Sequence, residues 1–346
     1  MSPVPAASRL HRRFPQLAAT LPRIELGRSP TPVRRLDGLA ADCGRELWIK
    51  DDGRFGELWG GNKARKLEWV LADVLRRGRR TVVTFGALAT NHGLATALYG
   101  REVGLRTVLL LVDQPVDDHV RAQLERLRAS GATIHFTRGS LRTALTTPFV
   151  VLRHADRHAR RPPALLPVGG SSPLGVLGYV EAALELAEQV SAGELPEPSH
   201  VVVAAGSGGT AAGLVLGLRL AGLRSRVVGV LVNDRTTVDA RTIMRLARRS
   251  ARLLRRRGAP LPALSLGATS LDVHARFLGE GYGHHTPEAG AALAAARDRE
   301  GVELDPVYTA KAMAGVIGLA RSGELPGEGP VLYWHTHDSG PRTGGP

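Results

Sequence analysis

The sequence predicts an α/β protein organised around a mostly parallel sheet. Short, continuous apolar runs alternate with amphipathic segments of about a dozen residues, which is the pattern of right-handed βαβ units. The chain has 346 residues, more than one hydrophobic core usually supports, so we expect two domains or one large domain with a lobe. Aromatic residues make up only 4% of the sequence, so the core should consist mainly of leucine, valine and alanine.

The first half of the chain begins with an extended arm and then repeats strand and helix. Residues 1–42 are expected to be irregular because Pro22, Pro30 and Pro32 interrupt them. A strand is predicted at 46–50 and, after a glycine turn, a helix at 64–75. The next block is predicted to contain strands at 81–85, 107–112, 133–136 and 165–168, with helices at 91–103, 116–130, within 149–160, and at 174–190.

The second half of the chain returns to the sheet that the arm begins. Its predicted strands are 200–205, 226–232, 271–273 and 330–334, and its predicted helices are one that ends at 220 and those at 238–256, 288–298 and 310–321. A tail rich in proline and glycine follows residue 340. We therefore expect a large domain of residues 1–65 and 190–346, with residues 66–189 inserted as a small α/β domain.

The charge of the chain is strongly positive, at +14, and arginine supplies most of it. The densest block of arginines, residues 245–257, contains no aromatic residue and matches no nucleic-acid-binding module. Leucines at helical spacing within it predict an amphipathic helix with a solvated basic face. We therefore expect no nucleic-acid partner, although such a face could steer an anionic substrate or cofactor.

Cysteine content and hydropathy indicate a cytoplasmic protein. The lone Cys43 excludes a disulfide framework and fits a reducing compartment, and one cysteine also makes a zinc site improbable. No apolar run is long enough to span a bilayer, and the N-terminal residues contain no signal-peptide core. The sequence therefore predicts no membrane partner and no metal.

The stretch GGNKARKLE places Lys63 between a glycine-rich turn and a helix start. The sequence contains only four lysines, at positions 50, 63, 66 and 311, and arginine is the cation at nearly all other basic positions. A lysine at position 63 therefore indicates a need for an amine. An amine can condense with a carbonyl to give a Schiff base, and guanidinium cannot. This predicts Lys63 as a covalent centre. A purely structural alternative is an ordinary capped helix start with Asn62 as the N-cap, and this segment alone does not decide between the two.

A second chemical signal is the loop GSGGT at residues 206–210, which joins an apolar strand to a helix. Glycines let the backbone turn its N–H groups inward, Ser207 and Thr210 add hydroxyl donors, and a helix N-terminus favours anions. The loop lacks the Gly-Lys-Ser/Thr of a Walker motif, and Ala211 stands where a dinucleotide fingerprint has its third glycine. It therefore suits a single phosphate, although a tight strand-to-helix turn would look the same.

A Schiff-base lysine and a monophosphate cradle are the two anchors that pyridoxal 5′-phosphate requires, because this cofactor presents one aldehyde and one phosphate. The combination is more specific than either signal, and it predicts this cofactor.

The chain also resembles a known family, the pyridoxal-phosphate enzymes of the D-cysteine desulfhydrase and 1-aminocyclopropane-1-carboxylate (ACC) deaminase group. The resemblance runs from about residue 22 to 336 through the ordered motifs SPTPV, LWIKDD, GGNKARKLE, FGALATNHG, PVGGSSPLGVLGYVEAALELA, GSGGTAAG, GYG, LDPVYTAKAMAG and LYWHT. It implies fold type II, similar to tryptophan synthase β, with two open, twisted, mostly parallel sheets covered by helices. Because relatives are commonly dimers, it also implies a homodimer.

The resemblance assigns roles to individual residues. It implies that Lys63 holds the cofactor and moves the substrate's α proton, and that Tyr282 and Tyr308 are active-site tyrosines, the latter near the cofactor ring. Thr90, Asn91 and His92 occupy the turn that would receive the substrate carboxylate, and Thr90 is also implied in catalysis. The implied cofactor contacts are Asn62, Lys63, Asn91, Gly206, Ser207, Gly208, Gly209, Thr210, Tyr308 and Thr336.

The family implies a lyase that removes a β substituent from cysteine or a β-substituted alanine, giving pyruvate and ammonia. Thr90 replaces a serine usual in the family, and His337-Asp338 replaces a Gly-Gly pair. Thr309 stands where the deaminases carry glutamate, which favours the desulfhydrase side. Deamination of a cyclopropane amino acid, β-replacement, and non-catalytic cofactor binding remain alternatives. His284 and His285 could bind substrate or form a surface turn.

Overall fold

The strands of this protein form two separate sheets. The structure is a computed structural model that describes residues 8–156 and 161–338. In those residues the strands are β1 (Val33–Arg35), β2 (Leu47–Asp51), β3 (Thr81–Ala87), β4 (Arg106–Val112), β5 (Thr133–Arg138), β6 (Ala164–Leu165), β7 (His200–Ala205), β8 (Arg226–Leu231), β9 (Leu271–His274) and β10 (Val331–His335). The larger sheet has the order β1-β2-β10-β7-β8-β9, and the smaller has the order β5-β4-β3-β6.

Helices cover both sheets. Within the same residues they are α1 (Arg9–Arg13), α2 (Asp37–Cys43), α3 (Asn62–Arg76), α4 (Asn91–Glu102), α5 (Asp118–Ala129), α6 (Ser140–Arg153), α7 (Leu177–Ser191), α8 (Gly209–Ala221), α9 (Ala240–Arg256), α10 (Pro287–Glu300) and α11 (Thr309–Arg321). Neighbouring strands run parallel except β1 and β2, which pair antiparallel. The prediction of two mostly parallel sheets is thus confirmed.

The sequence placed three parts of the chain wrongly. The strand predicted at 165–168 is only the two-residue β6, Ala164–Leu165, and a 3₁₀ turn begins at Val168. The N-terminal arm is not simply irregular, because its described part contains α1, a 3₁₀ turn, β1 and α2. The helix predicted within 149–160 is α6, which begins nine residues earlier, at Ser140, and ends at Arg153. Pro148 lies inside α6, where a proline normally argues for a helix boundary. Residues 157–160 of that predicted range, and the tail after residue 340, lie outside the described residues.

The helix that carries Lys63 is anchored by buried ion pairs. Arg65 donates to Asp52 Oδ1 at 2.7 Å and to Glu185 Oε1 at 2.9 Å, and Lys50 Nζ donates to the same Glu185 oxygen at 2.5 Å. These four side chains are fully or almost fully buried. The pairs tie the start of α3 to β2 and to α7, so the backbone around Lys63 is held on both sides.

Close helix packing completes the frame of the site. A Cβ at Gly213 of α8 would lie 2.3 Å from Tyr179 Cβ, so only glycine lets α8 approach α7 this closely. The domain boundaries expected near residues 65 and 189 fall inside α3 and α7, and the division into a large and a small domain stays a prediction.

Candidate active site

A cavity of about 290 Å³ collects the residues that the sequence singled out. The glycine turn before α3, the loop between β7 and α8, the start of α4 and the segment after β10 all contribute to its wall. Each candidate site residue lines it: Asn62, Lys63, Thr90, Asn91, His92, Gly206, Ser207, Gly208, Gly209, Thr210, Tyr282, Tyr308 and Thr336. Residues far apart in sequence therefore share one chamber.

Lys63 stands in the first turn of α3 and reaches the cavity. Its side chain is half-buried, deep in the protein yet accessible from the chamber. Burial lowers the pKa of Lys63 to about 8, against a smaller upward effect of the Asp305 charge. An amine with this pKa is available as a nucleophile at neutral pH. The N-cap of α3 is Gly61, not Asn62, so the structural alternative for Asn62 was wrong.

The loop between β7 and α8 has the form of an anion cradle. Gly208 has φ +77°, and a Cβ at Gly206 would lie only 3.1 Å from the Tyr308 ring. Asn62 Nδ2 donates to Thr210 Oγ1 at 3.0 Å, so the starts of α3 and α8 touch directly. The hydroxyls of Ser171 and Ser207 lie 2.8 Å apart beside the loop. This donor set at a helix N-terminus fits a phosphate.

Lys66 is a site residue that sequence reasoning missed. It is almost fully buried, lines the cavity, and donates from Nζ to Gly169 O at 3.3 Å. A Cβ on Gly209 would lie 3.0 Å from its Nζ, which places this amine beside the cradle. Burial, with the charge of Lys63, lowers the pKa of Lys66 well below that of an ordinary lysine. An anion bound in the cradle would offset the cost of burying a charge on the Lys66 amine. Its spacing of three residues from Lys63 on a helix was the available signal.

The turn at the start of α4 presents polar groups to the chamber. Thr90 is the N-cap of α4, and its Oγ1 accepts from Gly93 N at 3.1 Å. Asn91 Oδ1 accepts from Gln123 Nε2 at 2.9 Å. Among the described residues neither ring nitrogen of the buried His92 has a hydrogen-bond partner. Burial and the charges of the two nearby lysines lower the pKa of His92 well below its ordinary value. His92 is therefore a neutral side chain with unused hydrogen-bonding capacity.

Two tyrosines form another wall. The hydroxyl groups of Tyr282 and Tyr308 form a hydrogen bond of 2.7 Å, and the two ring centroids lie 5.9 Å apart. Burial, reinforced by Tyr282, raises the pKa of Tyr308 well above its ordinary value. The guanidinium of Arg235 lies 5.3 Å from the centre of the Tyr282 ring. Tyr308 is consequently a neutral hydroxyl at physiological pH, positioned by its partner.

The segment after β10 closes the far side of the cavity. Thr336 O accepts from Asn62 N at 3.2 Å, and Asp338 Oδ1 accepts from Gly60 N at 2.7 Å. His337 Nδ1 lies 3.8 Å from Asp305 Oδ2. Asp305 Oδ1 accepts from Tyr308 N at 2.7 Å, and the Asp305 side chain also lines the cavity.

His284 and His285 do not line this cavity. His285 Nε2 lies 3.1 Å from Asp117 Oδ2 instead, and His284 lies beside Glu280. Within the described ranges no cluster of three or more histidine, cysteine and acidic side chains could hold a metal ion. In the same ranges, none of the helices has the length and apolar content that crossing a membrane demands.

Together, the two-sheet fold and a cavity that joins a reactive lysine to a phosphate cradle define a fold type II pyridoxal-phosphate enzyme. The chain belongs to the pyridoxal-phosphate dependent enzyme family, whose model matches residues 24–337. Its cofactor is therefore pyridoxal phosphate, as the sequence predicted.

Individual relatives narrow the comparison. The chain is 37% identical to the D-cysteine desulfhydrase of Klebsiella pneumoniae (strain 342) over 322 residues, covering 91% of this chain and 93% of the relative. A solved structure described as an ACC deaminase homologue superposes with a TM-score of 0.80 at 33% identity, covering 95% of each chain. Threonine deaminase isoform 2 from Solanum lycopersicum, with a TM-score of 0.63 and 14% identity over 95% of this chain and 84% of its own, shares the fold. The resemblance to the desulfhydrase and deaminase group is thus confirmed.

Proposed function

We propose that this enzyme is a lyase that eliminates the β substituent of a small amino acid, with D-cysteine as its substrate. Cysteine and one water would give pyruvate, ammonia and hydrogen sulfide. The observation that carries the proposal is the Lys63 amine, which faces the same cavity as the phosphate cradle and has a pKa near 8. The 37% identity to a D-cysteine desulfhydrase over most of both chains supports the choice of substrate.

Each residue of the cavity has a proposed task. The cradle of residues 206–210, with Asn62 and Lys66, would hold the phosphate, and Asn91, Tyr308 and Thr336 would contact the rest of the cofactor. When bound, pyridoxal phosphate supplies an electron sink for the carbanion formed at the substrate's α carbon. Lys63 would remove the α proton, and the thiolate that leaves the β carbon would take up a proton to give hydrogen sulfide. A neutral amine is needed for this step, and a lowered pKa supplies one near pH 7.

The substrate would be oriented by the turn at the start of α4. The helix N-terminus suits a carboxylate, and Thr90, Asn91 and His92 present their polar groups there. We assign catalytic contact to Thr90, Tyr282 and Tyr308. Because the pKa of Tyr308 is raised, its hydroxyl stays protonated and can donate a hydrogen bond to a leaving thiolate or to Tyr282.

The residue at position 309 distinguishes β-elimination from cyclopropane deamination. The ACC deaminases carry glutamate at this position, whereas Thr309 here is buried and its Oγ1 donates to Asp305 Oδ2 at 2.7 Å. It also lies outside the cavity lining, so no carboxylate enters the chamber from this position. Elimination from cysteine is therefore preferred over cyclopropane deamination, with β-replacement as a further alternative. A non-catalytic role fits poorly with a reactive lysine and two tyrosines in one chamber.

The decisive experiment is a substrate screen with the purified holoenzyme. D-cysteine, L-cysteine, β-chloroalanine and the cyclopropane amino acid would be tested for sulfide, pyruvate and 2-oxobutanoate. We expect sulfide and pyruvate in equal amounts from D-cysteine, and no 2-oxobutanoate from the cyclopropane substrate. Lys63→Arg is the matched control, because it keeps the positive charge but cannot form the imine.

Other outcomes of the screen would redirect the proposal. Release of 2-oxobutanoate would favour the deaminase, and a spectral change without any keto acid would favour replacement or binding alone. The assembly expected from kinship is a homodimer that acts on a small amino acid, with no nucleic-acid or membrane partner.

A further inference from the structure

Helix α6 turns its most apolar side away from its own protein. Leu141, Leu145, Phe149 and Leu152 are 76%, 64%, 74% and 77% exposed. At about 100° per residue these four side chains fall within roughly 80° of one another. Val150 points the opposite way, is 3% exposed, and packs in one cluster with apolar side chains of β3 and β4. A surface helix normally shows the reverse pattern.

We call the four outward-facing residues, Leu141, Leu145, Phe149 and Leu152, the α6 patch. They are four of the ten exposed large hydrophobic residues in the described part of the chain.

The size of the α6 patch matches an interface. At roughly 150–200 Å² for a fully exposed large apolar side chain, the four exposed fractions correspond to roughly 400–600 Å². The largest apolar patch on a typical monomer is about 300–600 Å² and is often functional. A standard interface takes about 800 Å² from each partner, and about 65% of it is apolar in homodimers. The patch alone would thus supply the apolar part of a stable dimer interface.

The symmetry of the stripe points to a second copy of this chain as the occupant, and its lack of charge permits that contact. The protein carries a net charge of +14, which opposes association of two copies, so a stable contact between them should avoid placing cations against cations. The apolar stripe contains no charged residue, since Arg142 and Arg153 lie to its side at helical spacing. Its residues are spaced almost symmetrically about the middle of α6. Leu141 of one copy would face Leu152 of the other, as a two-fold axis requires.

We propose that the α6 patch is the surface through which two copies of this chain associate, with the two α6 helices antiparallel across a two-fold axis. The interface would adjoin the active site, because Ser140 and Thr143 at the start of α6 line the cavity. Thr143 Oγ1 also lies 2.6 Å from Thr137 Oγ1 of β5, which ties this first turn to the sheet. Association would therefore hold one wall of the chamber in place.

The first test measures mass in solution. Light scattering after size exclusion should give twice the 36.8 kDa chain mass for the wild-type holoenzyme at micromolar concentration. The double variant Leu145→Arg and Phe149→Arg places four cations across the axis and should be monomeric, or at least 100-fold weaker in association. Val116→Arg is the matched control, because Val116 is 52% exposed and lies outside the patch. It should remain dimeric.

A second test locates the axis. The single native thiol, Cys43, is buried, so Leu145→Cys introduces one accessible thiol per chain. A short bismaleimide should join two Leu145→Cys chains into a covalent dimer at high yield, whereas Val116→Cys should stay uncoupled. Circular dichroism and cofactor absorbance of each variant establish that it is folded.

Three results would overturn the proposal: a monomeric wild-type protein, a folded double variant that remains dimeric, or equal cross-linking of both cysteine variants. These outcomes are independent of the substrate. A dimer without lyase activity would refute only the proposed function, and an active monomer would refute only the interface.

Discussion

The amine of Lys63 should capture aldehydes at neutral pH much faster than an ordinary lysine does. Burial lowers its pKa from 10.5 to about 8. At pH 7.5 about a quarter of such amines are neutral, compared with about one in a thousand at the ordinary value, a difference of roughly 200-fold. A less basic nucleophile is also intrinsically weaker, as with thiols, and this offsets roughly tenfold of the gain. We therefore expect a rate advantage of about 20-fold.

The measurement uses cofactor-free protein and pyridoxal, which carries the aldehyde but no phosphate and so reports on the amine alone. The rate of imine formation, followed by absorbance in a stopped-flow instrument, should rise through a midpoint near pH 8 and level off above it. Nα-acetyl-lysine in the same buffers gives the rate of an ordinary amine. Borohydride reduction followed by peptide mapping identifies the labelled lysine.

The direction of the pH effect follows from the protonation state. Below the pKa the amine is protonated and cannot attack, so capture slows as pH falls. A midpoint above pH 10 would show that the protein does not perturb this amine. Label on Lys66 instead of Lys63 would show that the wrong lysine was assigned.

Three further perturbations test other parts of the site and its frame. Lys66→Met should lower pyridoxal-phosphate affinity by 10- to 100-fold in a fluorescence titration, with unchanged or higher stability of the cofactor-free protein, because a buried unpaired amine is removed. Glu185→Gln should lower the free energy of unfolding in urea by about 3–5 kcal/mol, because the buried Lys50 loses its carboxylate partner and Arg65 keeps only Asp52. The half-exposed Glu188→Gln should cost under about 1 kcal/mol. Burial alone would raise the pKa of Glu185, but the charges of Arg65 and Lys50 outweigh burial and hold that pKa well below its ordinary value of 4.5. The stability that Glu185 contributes should therefore be lost as the pH falls below 4.5. Tyr308→Phe should lower kcat about 10- to 100-fold while cofactor absorbance is retained, and an unchanged kcat would remove its hydroxyl from the mechanism.

The sequence was most informative where one residue type has a chemistry that no other can supply. Lys63 was identifiable because only an amine forms an imine, and the loop at 206–210 because only glycines let a backbone curl around an anion. Lys66 and Asp305 have side chains that serve many purposes. Their place in the cavity depends on how α3 and the segment before α11 pack, and the local sequence does not determine this packing.

Elements stabilised by distant partners were the ones that the sequence placed poorly. The N-terminus of α1 is held by Glu181, whose two carboxylate oxygens accept from Arg9 N at 2.7 Å and Leu10 N at 2.9 Å. Glu181 is more than 170 residues away, so no local pattern announces this helix. In α6 the apolar residues face outward, and a search for a core-facing stripe therefore misplaces it.

Three cations within four residues of α3 illustrate how one helix start serves both stability and chemistry. Successive residues point about 100° apart, so Lys63 and Lys66 share the face that lines the cavity, and Arg65 points away from it. Arg65 is neutralised by two buried carboxylates and fixes the helix. Neither lysine forms an ion pair in the ranges that the structure describes, and burial lowers the pKa of both. In the cofactor-free protein burial therefore disfavours the charged form of both amines, and a phosphate held in the cradle beside Lys66 would offset that cost. The site should consequently be more stable with its cofactor than without it, because the anion favours the charged amine that burial disfavours.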